Sequence, residues 1–160
     1  MILMIGLAAG VAALDMATKL AAERFLGMAN VIVLNGLLEL RLTHNDGMAL
    51  GILSGNAVAI VILPLGGIVC GFLLLRKYHP TGFTRAAAGL VLGGFLGNFA
   101  QRVADGYVID MIYLPFMPWF ICNVADIAIC AGVVLLGVSL LFRPQDWREK
   151  NAKDHGGSAG

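Results

Sequence analysis

Asp126 lies in the stretch ICNVADIAIC (121–130), at the head of a run that stays apolar as far as Phe142. An ionisable group in such a run is expensive and marks a pathway or a reaction site. Asp126 has no basic partner within its own expected helix, so it needs one from elsewhere or must hold a proton. A second carboxylate, Asp110, is flanked by Val108, Ile109, Met111 and Ile112, too apolar a setting for an ordinary solvated loop. That segment is expected to tuck back against the bundle and bring Asp110 to the mouth of the last apolar run. Two aspartates in one desolvated site cannot both ionise easily and keep one proton between them. Such a pair can draw a proton from water and give one to a departing amine, which is peptide hydrolysis without a metal or a nucleophilic side chain. By spacing alone, a proton relay in a transporter fits as well.

Other polar residues fall at the same depth. With 1.5 Å of rise per residue, Asp15 lies about 20 Å from the start of the first apolar run, and Asn98 about 20 Å from Arg85. Arg102 comes to about 26 Å, and Asp126, counted back from Phe142, to about 24 Å. In a hydrocarbon core about 30 Å thick these residues form one layer in the outer third. Lys19 sits one turn beyond Asp15, close to the outer boundary. The two are four residues apart and can simply pair with each other.

The elements that must carry this layer are read from the apolar runs. The chain has 160 residues, 59% hydrophobic and 13% charged, about half the charged share of a soluble domain. An integral membrane protein is expected, mainly α, with four transmembrane helices at about 2–22, 57–75, 84–103 and 120–142. The first run has no basic leader and no clear small-x-small cleavage site, so it reads as a retained helix. The net charge of +1 offers no basic surface for nucleic acid.

Arg76, Lys77, Arg85, Arg143, Arg148, Lys150 and Lys153 fall on one side, seven of the eleven basic residues. That side is expected to be cytoplasmic, with both termini inside. Residues 23–56 and 103–119 then face outward. The first of these contains two β-favouring runs joined by Asn35-Gly36, a hairpin signal, over about 30–44. Residues 144–160 read as a flexible cytoplasmic tail following a membrane domain at 1–143, and the final GGSAG reads as a linker.

Other chemistries fit less well. His44 and His79 fall on opposite faces and His155 is in the tail, so no metal cluster and no cofactor is expected. Ser54 and Ser139 have no histidine at their depth. The three cysteines, Cys70, Cys122 and Cys130, lack metal-type spacing and read as buried, inert thiols.

Four blocks in order resemble the bacterial lipoprotein signal peptidases, the membrane aspartic proteases also called signal peptidase II. DMATK (15–19) is similar to the D-x-x-[ST]-K block, and HNDGMALG (44–51) to N-x-G-A-A-F-G. GGFLGNFAQRVADGYVIDMI (93–112) resembles G-G-x-x-G-N-x-x-D-R-x-x-x-G-x-V-x-D-F, and CNVAD (122–126) resembles F-N-x-A-D.

The resemblance implies that Asp110 and Asp126 are the catalytic pair. It also implies cleavage of a prolipoprotein just before its diacylglyceryl-modified cysteine, at the outer face of the inner membrane. The hairpin would be the family's extracytoplasmic β-cradle. Asn45, Asn98, Arg102 and Asn123 would line the site or orient the pair, with Asp15 and Lys19 in support. Gly47 and Gly97 would permit close backbone approach. The expected partners are the lipidated substrate and membrane lipid, with the chain itself a monomer.

Gln101 stands where the family pattern has aspartate, and Cys122 where phenylalanine is usual. Asp105, four residues on, is expected to replace part of the missing charge beside Arg102. Two alternatives remain at this point. One is a catalytically weak relative that binds lipidated precursors. The other is a small proton-coupled carrier, which usually implies inverted repeats not seen in this chain.

Overall fold

The computed structural model describes residues 1–27, 29–47, 65–69, 71, 73, 76–78 and 80–148. Three long helices and a small sheet make up most of it. They run in the order α1 (Ile2–Phe25), β1 (Val31–Leu34), β2 (Leu38–Asn45), α2 (Gly82–Asp105), β3 (Val108–Tyr113), β4 (Ile121–Cys122) and α3 (Val124–Phe142). Among the described residues, α1 and α3 are long and apolar enough to cross a membrane. The expected span at 84–103 lies within α2, and that at 57–75 falls largely outside the described residues, although 65–69 are helical.

Helix α2 lies between the other two and packs on both. Close approach of this kind needs small residues, because lipid provides no hydrophobic drive for helices to associate. At Gly97 the closeness has a consequence for the site: a Cβ there would stand 2.7 Å from the Asp15 carboxylate.

The expected fourth span is shorter than predicted. Residues 121–122 form a strand, and Asn123 caps the helix that starts at Val124. The apolar run misled because a buried strand and a helix read alike over a few residues. Asp126 therefore sits in the first turn of α3 and not deep within it, where an N-terminal carboxylate complements the helix dipole.

The hairpin forms as expected, with strands at 31–34 and 38–45 and Gly36 at φ 73 in the turn. It is half of a larger object. Strands β2 and β3 pair antiparallel, as do β3 and β4, giving a four-stranded sheet in the order β1-β2-β3-β4. Ile109 and Met111 of β3 pack on Ala22 and Leu26 at the end of α1, fastening the sheet to the bundle. Side chains alternate along a strand, so Asp110 between them points the other way.

At the opposite end, the expected flexible tail opens with an ordered turn at Pro144–Trp147. Asp146, 1% exposed, accepts hydrogen bonds from Ser139 and Arg143, both at 2.7 Å. Arg143 holds its carboxyl below the usual carboxylate range. These bonds account for the buried Ser139 without a catalytic role.

Candidate active site

Three elements and the end of a fourth converge below the sheet. Asp110 comes from β3, and its two oxygens accept from Asn45 of β2 at 2.8 Å and from Asn123 at 2.6 Å. Asp126 comes from α3, and its oxygens accept from Asn98 of α2 at 2.8 Å and from the Asn123 backbone N–H at 3.2 Å. Asn123 thus touches both carboxylates, one through its side chain and one through its backbone. Its own Oδ1 accepts the Asp126 N–H at 2.9 Å, completing a reciprocal capping box.

Burial pushes the Asp110 carboxyl up to about 6, against the hydrogen bond from Asn45, which favours the charged form. The negative charge of Asp126 adds to the rise. This is the behaviour of neighbouring carboxylates, in which the proton belongs to the pair.

Behind Asn98 lies a buried ion pair. Lys19, which like Asp15 is fully buried, sits 2.7 Å from the Asp15 carboxylate and donates to Asn98 Oδ1 at 2.8 Å. The pairing expected from the spacing of Asp15 and Lys19 is present, but it is only part of what they do. The other Asp15 oxygen accepts the Ala125 N–H at 2.9 Å. One carboxylate of α1 therefore holds both the cation behind Asn98 and the first turn of α3, one residue before Asp126. A continuous chain runs from Asp15 through Lys19 and Asn98 to Asp126.

Arg102 reaches across to accept nothing and donate one strong bond, from Nη2 to the Gly47 carbonyl at 2.7 Å. Gly47 in turn donates its N–H to Asn45 Oδ1 at 2.9 Å. The guanidinium also lies within electrostatic range of Asp126 and Asp110. All ten residues singled out from the sequence thus fall in one neighbourhood: eight in a hydrogen-bonded network that includes Gly47, Arg102 joined to it through the Gly47 carbonyl, and Gly97 by its close approach to Asp15.

Some expectations fail here. Asp105 is exposed at the end of α2, and the carboxylates facing Arg102 are Asp110 and Asp126, so Asp105 does not stand in for a missing charge. Cys130 is exposed on α3 rather than buried, while Cys122 is buried and its thiol is pushed up to about 12, keeping it neutral. Cys70 lies outside the described residues. His44 is half exposed, 3.8 Å from Glu23 and edge-on to Tyr107, away from the carboxylates. Two contacts were not foreseen: the bond from Asp15 to Ala125, and a bond from the Ile109 N–H to Gln101 Oε1 at 3.1 Å. The depth match hinted at the first, and nothing in residue spacing signalled the second.

Among the described residues no group of three or more histidine, cysteine or acidic side chains is arranged to hold a metal ion. An apolar cavity of about 170 Å³, bordered by Met4, Leu92, Phe95 and Trp147, lies lower in the bundle and includes none of the site residues.

Residues 7–142 match the family model described as signal peptidase (SPase) II. The chain belongs to the signal peptidase II family. It is 31% identical over 142 residues to a lipoprotein signal peptidase of Halothermothrix orenii, covering 88% of this chain and 91% of that one. A lipoprotein signal peptidase of Caldicellulosiruptor bescii is 35% identical over 129 residues, with 80% and 83% covered. A solved bacterial membrane enzyme superposes with a TM-score of 0.79 at 28% identity, covering 94% of each chain. The chain is thus a membrane protein of a peptidase family, mostly helical with a small antiparallel sheet. Within that family frame, the four blocks read from the sequence are the segments that supply the network just described.

Proposed function

We propose that this chain is an aspartic endopeptidase that removes signal peptides from diacylglyceryl-modified prolipoproteins, cutting just before the lipidated cysteine. The observation that carries this reading is the meeting of Asp110 and Asp126 on the two sides of Asn123, in a family whose relatives carry the name lipoprotein signal peptidase.

With one proton on the pair, the ionised aspartate takes a proton from water, and the water oxygen adds to the scissile carbonyl carbon. The protonated aspartate gives its proton to the carbonyl oxygen. Collapse of the tetrahedral species breaks the C–N bond: the cysteine nitrogen takes a proton from the pair, a hydroxyl on the tetrahedral carbon returns one to it, and the signal peptide leaves with a new carboxyl group. No metal or covalent intermediate is required. The two acyl chains stay in the bilayer and hold the peptide at the site, so binding energy remote from the reacting bond positions it.

The topology that serves this chemistry has four membrane-spanning helices within residues 1–143, with 144–160 and both termini on the cytoplasmic side. The sheet and the aspartates lie near the outer face of the inner membrane, and the chain acts as a monomer. The basic residues concentrated at one end support this orientation.

The test is cleavage of a diacylglyceryl-modified precursor peptide in detergent or vesicles. Asp110→Asn and Asp126→Asn should each reduce turnover by about 10²–10⁴-fold or more while the protein still inserts. Normal cleavage by either variant would remove the mechanism. Single-turnover binding without multiple turnovers would favour a weak, precursor-binding relative, and pH-driven flux without cleavage a carrier.

A further inference from the structure

Strand β3 carries Asp110, yet its neighbour β4 is two residues long and pairs only with Ile112 and Tyr113. Where β4 stops, the edge of β3 runs on with no strand beside it among the described residues. Ile109 is at this edge and is 1% exposed. A buried peptide group must find partners, because water does not reach it. Its carbonyl accepts from the Asn123 side chain at 3.4 Å, and its N–H donates to Gln101 Oε1 at 3.1 Å. Asn123 is the residue directly after β4, so both bonds lie on the side that β4 leaves open. Two side-chain amides, one from α2 and one from the cap of α3, complete the strand where the chain does not.

The Asn123 contribution is the weaker. Its two N–H groups are divided among Asp110, Asn98 and Ile109, and Ile109 is the most distant of the three. Gln101 is 3% exposed, and its bond is the shorter of the two on Ile109.

We propose that Gln101 is a positioning residue for the hydrolytic reaction: its carbonyl oxygen fixes the backbone of Ile109, and so aims the neighbouring Asp110, without adding charge to the site. This rests on the reading of Asp110 as catalytic. The family pattern has aspartate at this place, so glutamine in this chain keeps an acceptor while changing the charge around Asp110. The charged groups facing it are Asp126 on α3, Lys19 on α1 and Arg102 on α2, with Cys122 of β4 a neutral thiol. A third carboxylate one residue from Asp110 would make the pair hold its proton more tightly. Glutamine supplies the acceptor and avoids that.

Two variants separate aim from charge. Gln101→Leu removes the acceptor, and Gln101→Glu keeps it and adds the charge. For each, kcat, KM and the pH profile are measured on a lipidated precursor peptide, together with amide hydrogen exchange at Ile109. Gln101→Leu should lower kcat by about ten- to a hundredfold with KM little changed, and should speed exchange at Ile109. Gln101→Glu should recover most of kcat at its own optimum, with slow exchange retained and the alkaline limb moved to higher pH.

Unchanged kcat in Gln101→Leu would overturn the proposal. So would an unshifted alkaline limb in Gln101→Glu, which remains a test if the leucine variant does not fold. If the parent protein cleaves no lipidated peptide, the functional reading fails instead, and exchange at Ile109 in Gln101→Leu still reports whether the bond exists.

Discussion

Asn123 has every polar atom committed: its amide nitrogen to Asp110, Asn98 and Ile109, its side-chain oxygen to the Asp126 N–H, its backbone N–H to the Asp126 carboxylate. Asn45 accepts the Gly47 N–H on its side-chain oxygen and donates one N–H to Asp110. Because that bond favours the ionised carboxylate, removing it raises a value that burial already holds near 6. Asn45→Ala should therefore keep the pair's last proton on to higher pH, moving the alkaline limb of kcat/KM upward. A pH–rate profile measures this, and a downward shift would contradict the assigned role. The identity of these residues was legible in the sequence through the four family blocks. Their division of labour was not, since which amide reaches which oxygen depends on rotamers and on strand register.

At the scale of elements, the site depends on how closely the helices approach. Gly97 of α2 faces the Asp15 carboxylate, whose oxygens are already fixed by Lys19 and the Ala125 N–H. A methyl group at 2.7 Å must displace one of them. Gly97→Ala should cost about 1–3 kcal/mol and lower kcat, since the displaced bonds hold the turn that bears Asp126. Thermal unfolding and turnover of the purified variant check both. The three long helices and the hairpin were visible as apolar runs and an Asn-Gly turn. The remainder of the sheet was hidden because β3 is buried on both faces and shows no alternation, and β4 is too short to show any period.

Across the whole molecule, one ion pair links three helices through their neighbours. Lys19→Met would leave the Asp15 carboxylate buried without its counter-charge and strip a donor from Asn98. Breaking a buried pair this way costs about 3–5 kcal/mol, to be read as a lower unfolding midpoint in detergent. Adding Asp15→Asn to Lys19→Met should recover part of the loss, because the orphaned charge is then gone.

The bond between Asp15 and Ala125 joins residues 110 positions apart. During synthesis the first helix emerges long before the last, so its carboxylate waits for a partner while nearly the whole chain is threaded into the bilayer. A half-made polypeptide carries Asp110 without Asp126, and the turn that bears Asp126 gains its Asp15 contact only when α1 closes on α3. On the proposed reading of the two aspartates, proteolytic competence arrives last, and a prematurely released fragment would be a harmless one.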